Sequence, residues 1–315
     1  MEHKKVAHFL YMPLTGLGLY GGHRGKRWLR NRIKIFKHSV LRSLRAQTDK
    51  NFILWVSVRH EDKRDPIIQE FQEFLAKEKF PVVFTYSGVC FWDDKHPDDV
   101  AYNRLIDSVH GSLGELINVM GEADTILMTI QPSDDCYHRN MVKDVQDFFA
   151  LNPDVQCFGY QYGYIMDYLT GRVKEWNPKT TPPFYTIKFP RVVFTNPMEH
   201  VKYTGPYKSH EYVKDYLKAH YDTEKRGFLV GTHGENISTV FNHPFAGKEF
   251  YPGLNEPETK NWVLGQFGLS DVPLLKIKTS LRKAFMRKLP VGWQRKFRYL
   301  LGERFYAKIY DFLRS

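Results

Sequence analysis

The sequence predicts an α/β protein: a mostly parallel sheet, a mixed second half, and a basic helical tail at the C-terminus. Two observations carry this. Short apolar runs alternate with helical-period segments through the first half, and right-handed crossovers then make a parallel sheet the economical topology. Lysine and arginine, by contrast, crowd into the last stretch. From Lys276 to Ser315 there are 12 of them against two acids, which accounts for +10 of the formal net charge of +11. The body of the chain is therefore nearly neutral, and the basicity belongs to the tail. We divide the 315 residues into a domain over 1–272, with halves meeting near residue 138, and a tail over 273–315.

The first strand is read at Val6–Met12 and ends at Pro13. Gly16, Gly18 and Gly21 follow with the G-x-G-x-x-G spacing of a dinucleotide site,. That fingerprint needs a carboxylate about 20 positions on, and the chain has Leu41-Arg-Ser43 there. A nicotinamide site is not expected. Ile33, Phe36, Val40, Leu41 and Leu44 recur at helical spacing; Phe52–Val58 reads as a second strand; Pro66 opens a second helix,. Pro81–Tyr86 is a third strand, followed by an acidic loop (Asp93, Asp94, Asp98, Asp99) and a helix from about Tyr102 to Met120.

The chain is organised around the next stretch. Ala123–Ile130 reads as a buried strand cut off by Pro132, and Ser133-Asp134-Asp135 stands in the turn before a helix over about Asn140–Ala150,. In open α/β sheets, ligands bind outside the carboxyl ends of the strands. Two carboxylates there suit Mg2+ or Mn2+, and an imidazole from His233, in a late glycine-flanked turn, tilts the choice toward Mn2+. The plainer role for the two aspartates is to cap the following helix.

Further strands are expected over Val155–Tyr162, Tyr164–Tyr168, Arg172–Trp176 and Val192–Phe194, with a proline-stiffened segment over Thr181–Pro190,. A helix is expected over Ser209–Leu217, and a short strand from Gly227 leads to His233.

Three cysteines (Cys90, Cys136, Cys157) without metal-ligand spacing suit a reducing compartment,. The N-terminal apolar run is too short for a signal peptide, and no stretch reaches the roughly 18 apolar residues of a membrane span. A cytoplasmic protein is expected. In the tail, Trp293, Phe297, Leu300, Leu301, Phe305, Ile309 and Phe312 keep a helical period with basic residues between them,. Such a helix can lie on an anionic membrane surface, which would make the protein peripheral on the inner face of the membrane; packing on the domain is the alternative. No nucleic-acid partner is expected, since no helix-turn-helix, zinc or RNA-binding signature is present. No G-x-S-x-G nucleophile elbow points to a hydrolase.

Several ordered segments resemble one family. The segment from Arg32-Ile-Lys-Ile-Phe36 through Ser43-Leu-Arg-Ala-Gln-Thr-Asp-Lys-Asn-Phe52 resembles the S-L-x-x-Q-T-D-x-x-F opening of GT-A glycosyltransferases of the bacterial rhamnosyltransferase group. Ser133-Asp-Asp135 is similar to the back half of that group's D-S-D-D turn, and Thr181–Thr186, Ser209–Glu211 and His233–Ser238 resemble later segments. The resemblance implies a GT-A type, Rossmann-like fold and a nucleotide-sugar donor with a glycan or lipid-linked acceptor. It also implies a metal site at Asp134 and Asp135, with His233 as a further ligand. Donor contacts are then expected at Tyr11, Pro13, Arg59, Ser133 and Asp134, and Glu211 is the candidate general base for an inverting transfer. The chain departs from the group at Pro132, where the first acid is usual, and at Ile130-Gln131, where a basic residue is usual. The alternative is a catalytically inactive GT-A-like scaffold that binds membranes or glycans.

Overall fold

The computed structural model describes residues 5–15, 26–88, 108–204, 210–234, 236, 241 and 254–277. The glycines at 16–22, Cys90, the acidic cluster at 93–99 and the tail beyond 277 lie outside the described residues. Strand β1 (Val6–Pro13) is followed by helix α1 (Lys26–Ile35), a π-helical turn (Phe36–Val40) and α2 (Leu41–Ala46). Then come β2 (Ile53–Arg59), α3 (Pro66–Leu75), β3 (Val82–Gly88), α4 (Leu113–Met120) and β4 (Thr125–Ile130). The strands are apolar on both faces because both faces are covered. Leu10, Met12, Leu54 and Val56 join α1–α3 in one cluster; Phe9, Tyr11, Trp55 and Met128 join α4 in another.

These four strands are parallel in the order β3-β2-β1-β4, as alternating strands and helices predict,. Asp65 caps α3, its side chain accepting from the Ile67 N–H at 2.8 Å, with Pro66 in the first turn,.

The second half is mixed. β5 (Cys136–Tyr137), α5 (Met141–Leu151), β6 (Cys157–Asp167), β7 (Arg172–Trp176), β8 (Tyr185–Pro190) and β9 (Ala219–Thr232) complete the elements of one sheet and its cover. Among the described residues the sheet continues β4-β8-β6-β9-β5, with β7 on β6. β8 runs antiparallel to β4 and β6, while β6 and β9 are parallel and carry the sheet past the carboxyl end of β4.

Four expectations need correction. The strand expected at 192–194 is instead a helical turn, α6 (Arg191–Phe194), and the strand is the segment before it, β8. A run of three apolar residues has no readable period; here Phe194 is buried and Val192 exposed. The strands read separately at 155–162 and 164–168 are one strand, β6. β9 is far longer than the short strand expected from Gly227: its first residues (Ala219–Arg226) are half-buried or exposed and largely polar, so they carry no apolar run. After α6, α7 (Pro197–Thr204), a 3-10 turn (His210–Tyr212) and α8 (Val213–Tyr216) precede β9, so the helix expected over 209–217 is broken in two. Finally, α9 (Pro257–Gly265) and the chain to Ile277 pack on the far end of β6 and β9 through Val263, Leu264, Phe267, Leu269 and Leu275.

Candidate active site

The acidic turn lies beyond the carboxyl end of β4, where the sequence places it. Its shape comes from Gln131, whose amide donates to the Pro132 and Asp135 carbonyls at 2.9 and 3.0 Å. The Tyr168 hydroxyl donates to the Asp134 carbonyl at 2.8 Å, and the Tyr137 hydroxyl to that of Ile130 at 2.7 Å. Gly231 of β9 runs against the turn: a Cβ there would overlap both the Asp134 carbonyl oxygen and the Tyr168 ring. Close backbone approach requires glycine at this position.

Asp134 is the centre of the cluster. Its Oδ2 meets Arg32 Nη1 at 2.6 Å, His233 Nε2 at 3.1 Å and Asn236 Nδ2 at 3.3 Å. Burial alone would raise its pKa. The Arg32 guanidinium and the His233 hydrogen bond outweigh burial and hold the carboxyl below the usual carboxylate range,. Asp135 behaves oppositely. Burial and the neighbouring Asp134 charge push its pKa well up, against the Gly231 N–H that donates to its Oδ1 at 2.8 Å. Asn236 ties the late turn together, its Oδ1 accepting from the His233 N–H at 2.7 Å and its Nδ2 donating to the Gly231 carbonyl at 2.7 Å.

The structure thus brings Asp134, Asp135 and His233 together, and adds two residues that the sequence reading missed as site members, Arg32 and Asn236. Arg32 had a visible signal. It is a charged residue beside Leu29, Ile33 and Phe36 on the buried face of a helix, where its own side chain is 6% exposed. A guanidinium is placed there only with a partner.

The other candidates stand as follows. Tyr11 is fully buried, its ring centroid 4.2 Å from that of Trp55, so it packs the core rather than the sheet edge. Pro13 is the last residue of β1 and half-buried, and Ser133 is half-buried in the acidic turn. Arg59 ends β2 and holds Asp62 through two nitrogens at 3.0 and 3.1 Å. Glu211 is exposed in the 3-10 turn, beside His210, whose Nδ1 donates to the Thr181 carbonyl at 2.6 Å.

The expected Mn2+ or Mg2+ can be tested against this donor set. A carboxylate only accepts, so His233 Nε2 carries a proton toward Asp134 and is not a bare metal ligand,. An ion on Asp134 Oδ2 would have to displace the Arg32 guanidinium, which already holds that oxygen at 2.6 Å,. Among the described residues, no group of three or more His, Cys, Asp or Glu is arranged to hold a metal ion. The arrangement as it stands does not fit a divalent cation.

A family model described as "Putative rhamnosyl transferase" matches residues 24–81. No curated sequence matches the chain. Among solved structures, TarS from S. aureus is 13% identical with a TM-score of 0.36, covering 95% of this chain and 48% of that one. The chain thus spans about half of that protein. A shorter TarS, residues 1–349 in complex with UDP, is 12% identical (TM-score 0.36; 93% of this chain, 78% of that one). Mouse xyloside xylosyltransferase 1 in its apo form is 13% identical (TM-score 0.26; 50% and 52%). At such TM-scores these likenesses decide neither fold nor activity. Over residues 24–81, the stretch that carries both Arg32 and the Ser43–Phe52 motif, the chain resembles the rhamnosyl transferase family.

Proposed function

We propose that the protein is a glycosyltransferase, moving a sugar from a nucleotide-diphosphate sugar donor to a hydroxyl of a glycan or lipid-linked acceptor, with inversion. The observation that carries the reading is the placement of Asp134 and Asp135. They form a half-buried acidic turn past the carboxyl end of β4, in a chain whose residues 24–81 match a sugar-transferase family model,. In the transfer, the acceptor oxygen attacks the anomeric carbon of the donor. The bond from that carbon to the β-phosphate oxygen breaks, the nucleoside diphosphate leaves with the electron pair, and the acceptor proton passes to a base. Glu211 is the proposed base, since it is exposed and stands at the start of a helical turn,. Pro13, Ser133 and Arg59 are the proposed donor contacts at the strand ends. Because the three candidate metal ligands are committed to protein partners, no step is routed through an ion.

Calorimetric titration with UDP, GDP and dTDP, each with Mn2+ and with EDTA, tests the donor class. One nucleotide should bind, and Asp134→Asn should weaken it. A chain that binds none of them is not a transferase of this kind, and the scaffold reading, which Pro132 favours, would replace it. Glu211→Gln should abolish turnover of the matching nucleotide sugar while leaving nucleotide affinity intact. Wild-type turnover in that variant would move the base elsewhere.

A further inference from the structure

We infer that Arg32 takes the place of a divalent cation at this site, so that nucleotide-diphosphate binding by this chain needs no metal. The inference rests on the donor class proposed above. Its basis is the geometry around one atom. Asp134 Oδ2 is met by a guanidinium nitrogen at 2.6 Å, with an imidazole and an amide also donating to it. A carboxylate that would otherwise offer its charge to an ion offers it to the protein.

Arg32 is held in place rather than reaching in from solvent. Its side chain is buried, its guanidinium carbon lies 5.2 Å from the Trp28 ring centroid, and Leu29, Ile33 and Phe36 pack the same helix against the sheet. A guanidinium has five N–H donors in a planar fork and remains charged at any working pH, so one nitrogen can hold Asp134 while others face a phosphate oxygen. The pair also cancels a charge. With Arg32 beside Asp134, a diphosphate approaching the turn does not meet a bare carboxylate. The rest of α1 adds to this, since Lys26-Arg-Trp-Leu-Arg-Asn-Arg-Ile-Lys-Ile35 carries five basic residues and no acid. A helix of one sign raises the local potential for an anion. Upstream of the acidic pair, Ile130 and Gln131 bring no charge; the cation arrives from a helix more than a hundred residues earlier.

The test separates this inference from the reading beneath it. Wild-type protein is stripped with EDTA and titrated by calorimetry with UDP, GDP and dTDP, then again with Mn2+ present. Mn2+ alone is titrated in parallel. The inference expects the nucleotide that binds to do so with affinity within about threefold in the two buffers, and expects no stoichiometric Mn2+ binding. In EDTA, Arg32→Gln should weaken the nucleotide at least about tenfold, as loss of a charge-assisted hydrogen bond to phosphate implies. Circular dichroism checks its fold. If that single variant fails to fold, the double variant Arg32→Gln/Asp134→Asn, which strands no charge, replaces it and is read against Asp134→Asn alone, below which its affinity should fall further; equal affinity of the two overturns the inference. Nucleotide binding that requires Mn2+ overturns the inference and leaves the donor class standing. So does full affinity in a folded Arg32 variant. Absence of nucleotide binding in both buffers overturns the donor class itself.

Discussion

His8 shows how much a single residue of the sheet depends on its proton. It lies in the middle of β1, buried, with Nε2 at 2.7 Å from Thr129 Oγ1, which in turn meets Thr186 Oγ1 at 2.5 Å across β4 and β8. Burial lowers its pKa from 6.5 to about 3, and burial together with the neighbouring His110 lowers that of His200 to about 4. The unfolded chain takes up these protons near pH 6.5, and the folded chain does not. The fold therefore loses stability as pH falls through 6.5, by at most about 1.4 kcal/mol per pH unit for each histidine. Urea midpoints should drop between pH 7.5 and 5, above the range in which ordinary carboxylates titrate. His8→Asn, which has no such proton, should show a shallower drop. An unchanged slope would mean that His8 is charged in the fold. The residues of the site were only partly legible at this scale. Asp134 and Asp135 were legible because they follow a buried strand at the carboxyl edge where an open α/β sheet binds ligands, beside the plainer capping role. Arg32 signalled only that a charge on a buried helix face needs a partner; the partner itself, more than a hundred residues away, is not something helical periodicity reports,.

The Ser43–Phe52 segment gains a physical meaning at the level of the element. The sequence offers it as a family resemblance; the structure shows it clamping the backbone just downstream of the acidic turn. Ser43 Oγ donates to the Tyr137 carbonyl at 2.7 Å, and Gln47 Nε2 donates to that of His138 at 3.0 Å. Gln47 Oε1 accepts from the Val142 N–H at 3.2 Å, and the Thr48 N–H donates to the Arg139 carbonyl at 2.7 Å. The loop after α2 thus fixes the start of α5 and, through β5, the exit from the turn. Gln47→Leu removes an acceptor and a donor from buried backbone groups. We expect a loss of about 1–3 kcal/mol in a denaturation series, and weaker nucleotide binding because the turn loses its anchor. Asp65→Ala, far from the site, should cost about 1 kcal/mol through its lost cap and leave binding untouched. If both variants lower binding equally, the clamp is only general stability. Helix α3 was readable from Pro66 and its apolar spacing. The β8 strand was not, since Thr181-Pro-Pro reads as punctuation and the pairing with β4 comes from far away in the chain.

For the whole molecule, the question is where the folded body stops and the basic tail begins. The division read from the sequence puts the tail from residue 273, but the packing extends further. The Pro273 carbonyl accepts from His38 Nε2 at 2.6 Å, the Leu275 N–H donates to the Tyr168 carbonyl at 2.8 Å, and Leu275 is buried. Gly268, at a φ of +69°, lets the chain pass close to Ala46 and Arg42,. The segment from Leu254 to Ile277 covers Met166, Tyr168 and Leu229, on the same strands that hold Gly231 against Asp134. Composition cannot mark such a boundary, because a single buried Leu275 between an exposed Leu274 and Lys276 looks like the tail. Two truncations separate body from tail. A chain ending at residue 277 keeps all of these contacts, so its melting midpoint should match the full chain. A chain ending at residue 253 exposes that apolar end of the sheet, and should melt earlier and lose nucleotide affinity, since β9 positions the turn. No helix among the described residues is long and apolar enough to cross a membrane. We propose that the basic period from Trp293 onward binds anionic lipid, an attraction that salt screens. Co-sedimentation with phosphatidylserine vesicles should therefore retain the full chain at low salt and release the chain ending at 277. Equal retention of the two chains would assign the lipid contact to the folded body and leave the tail's charge for another partner.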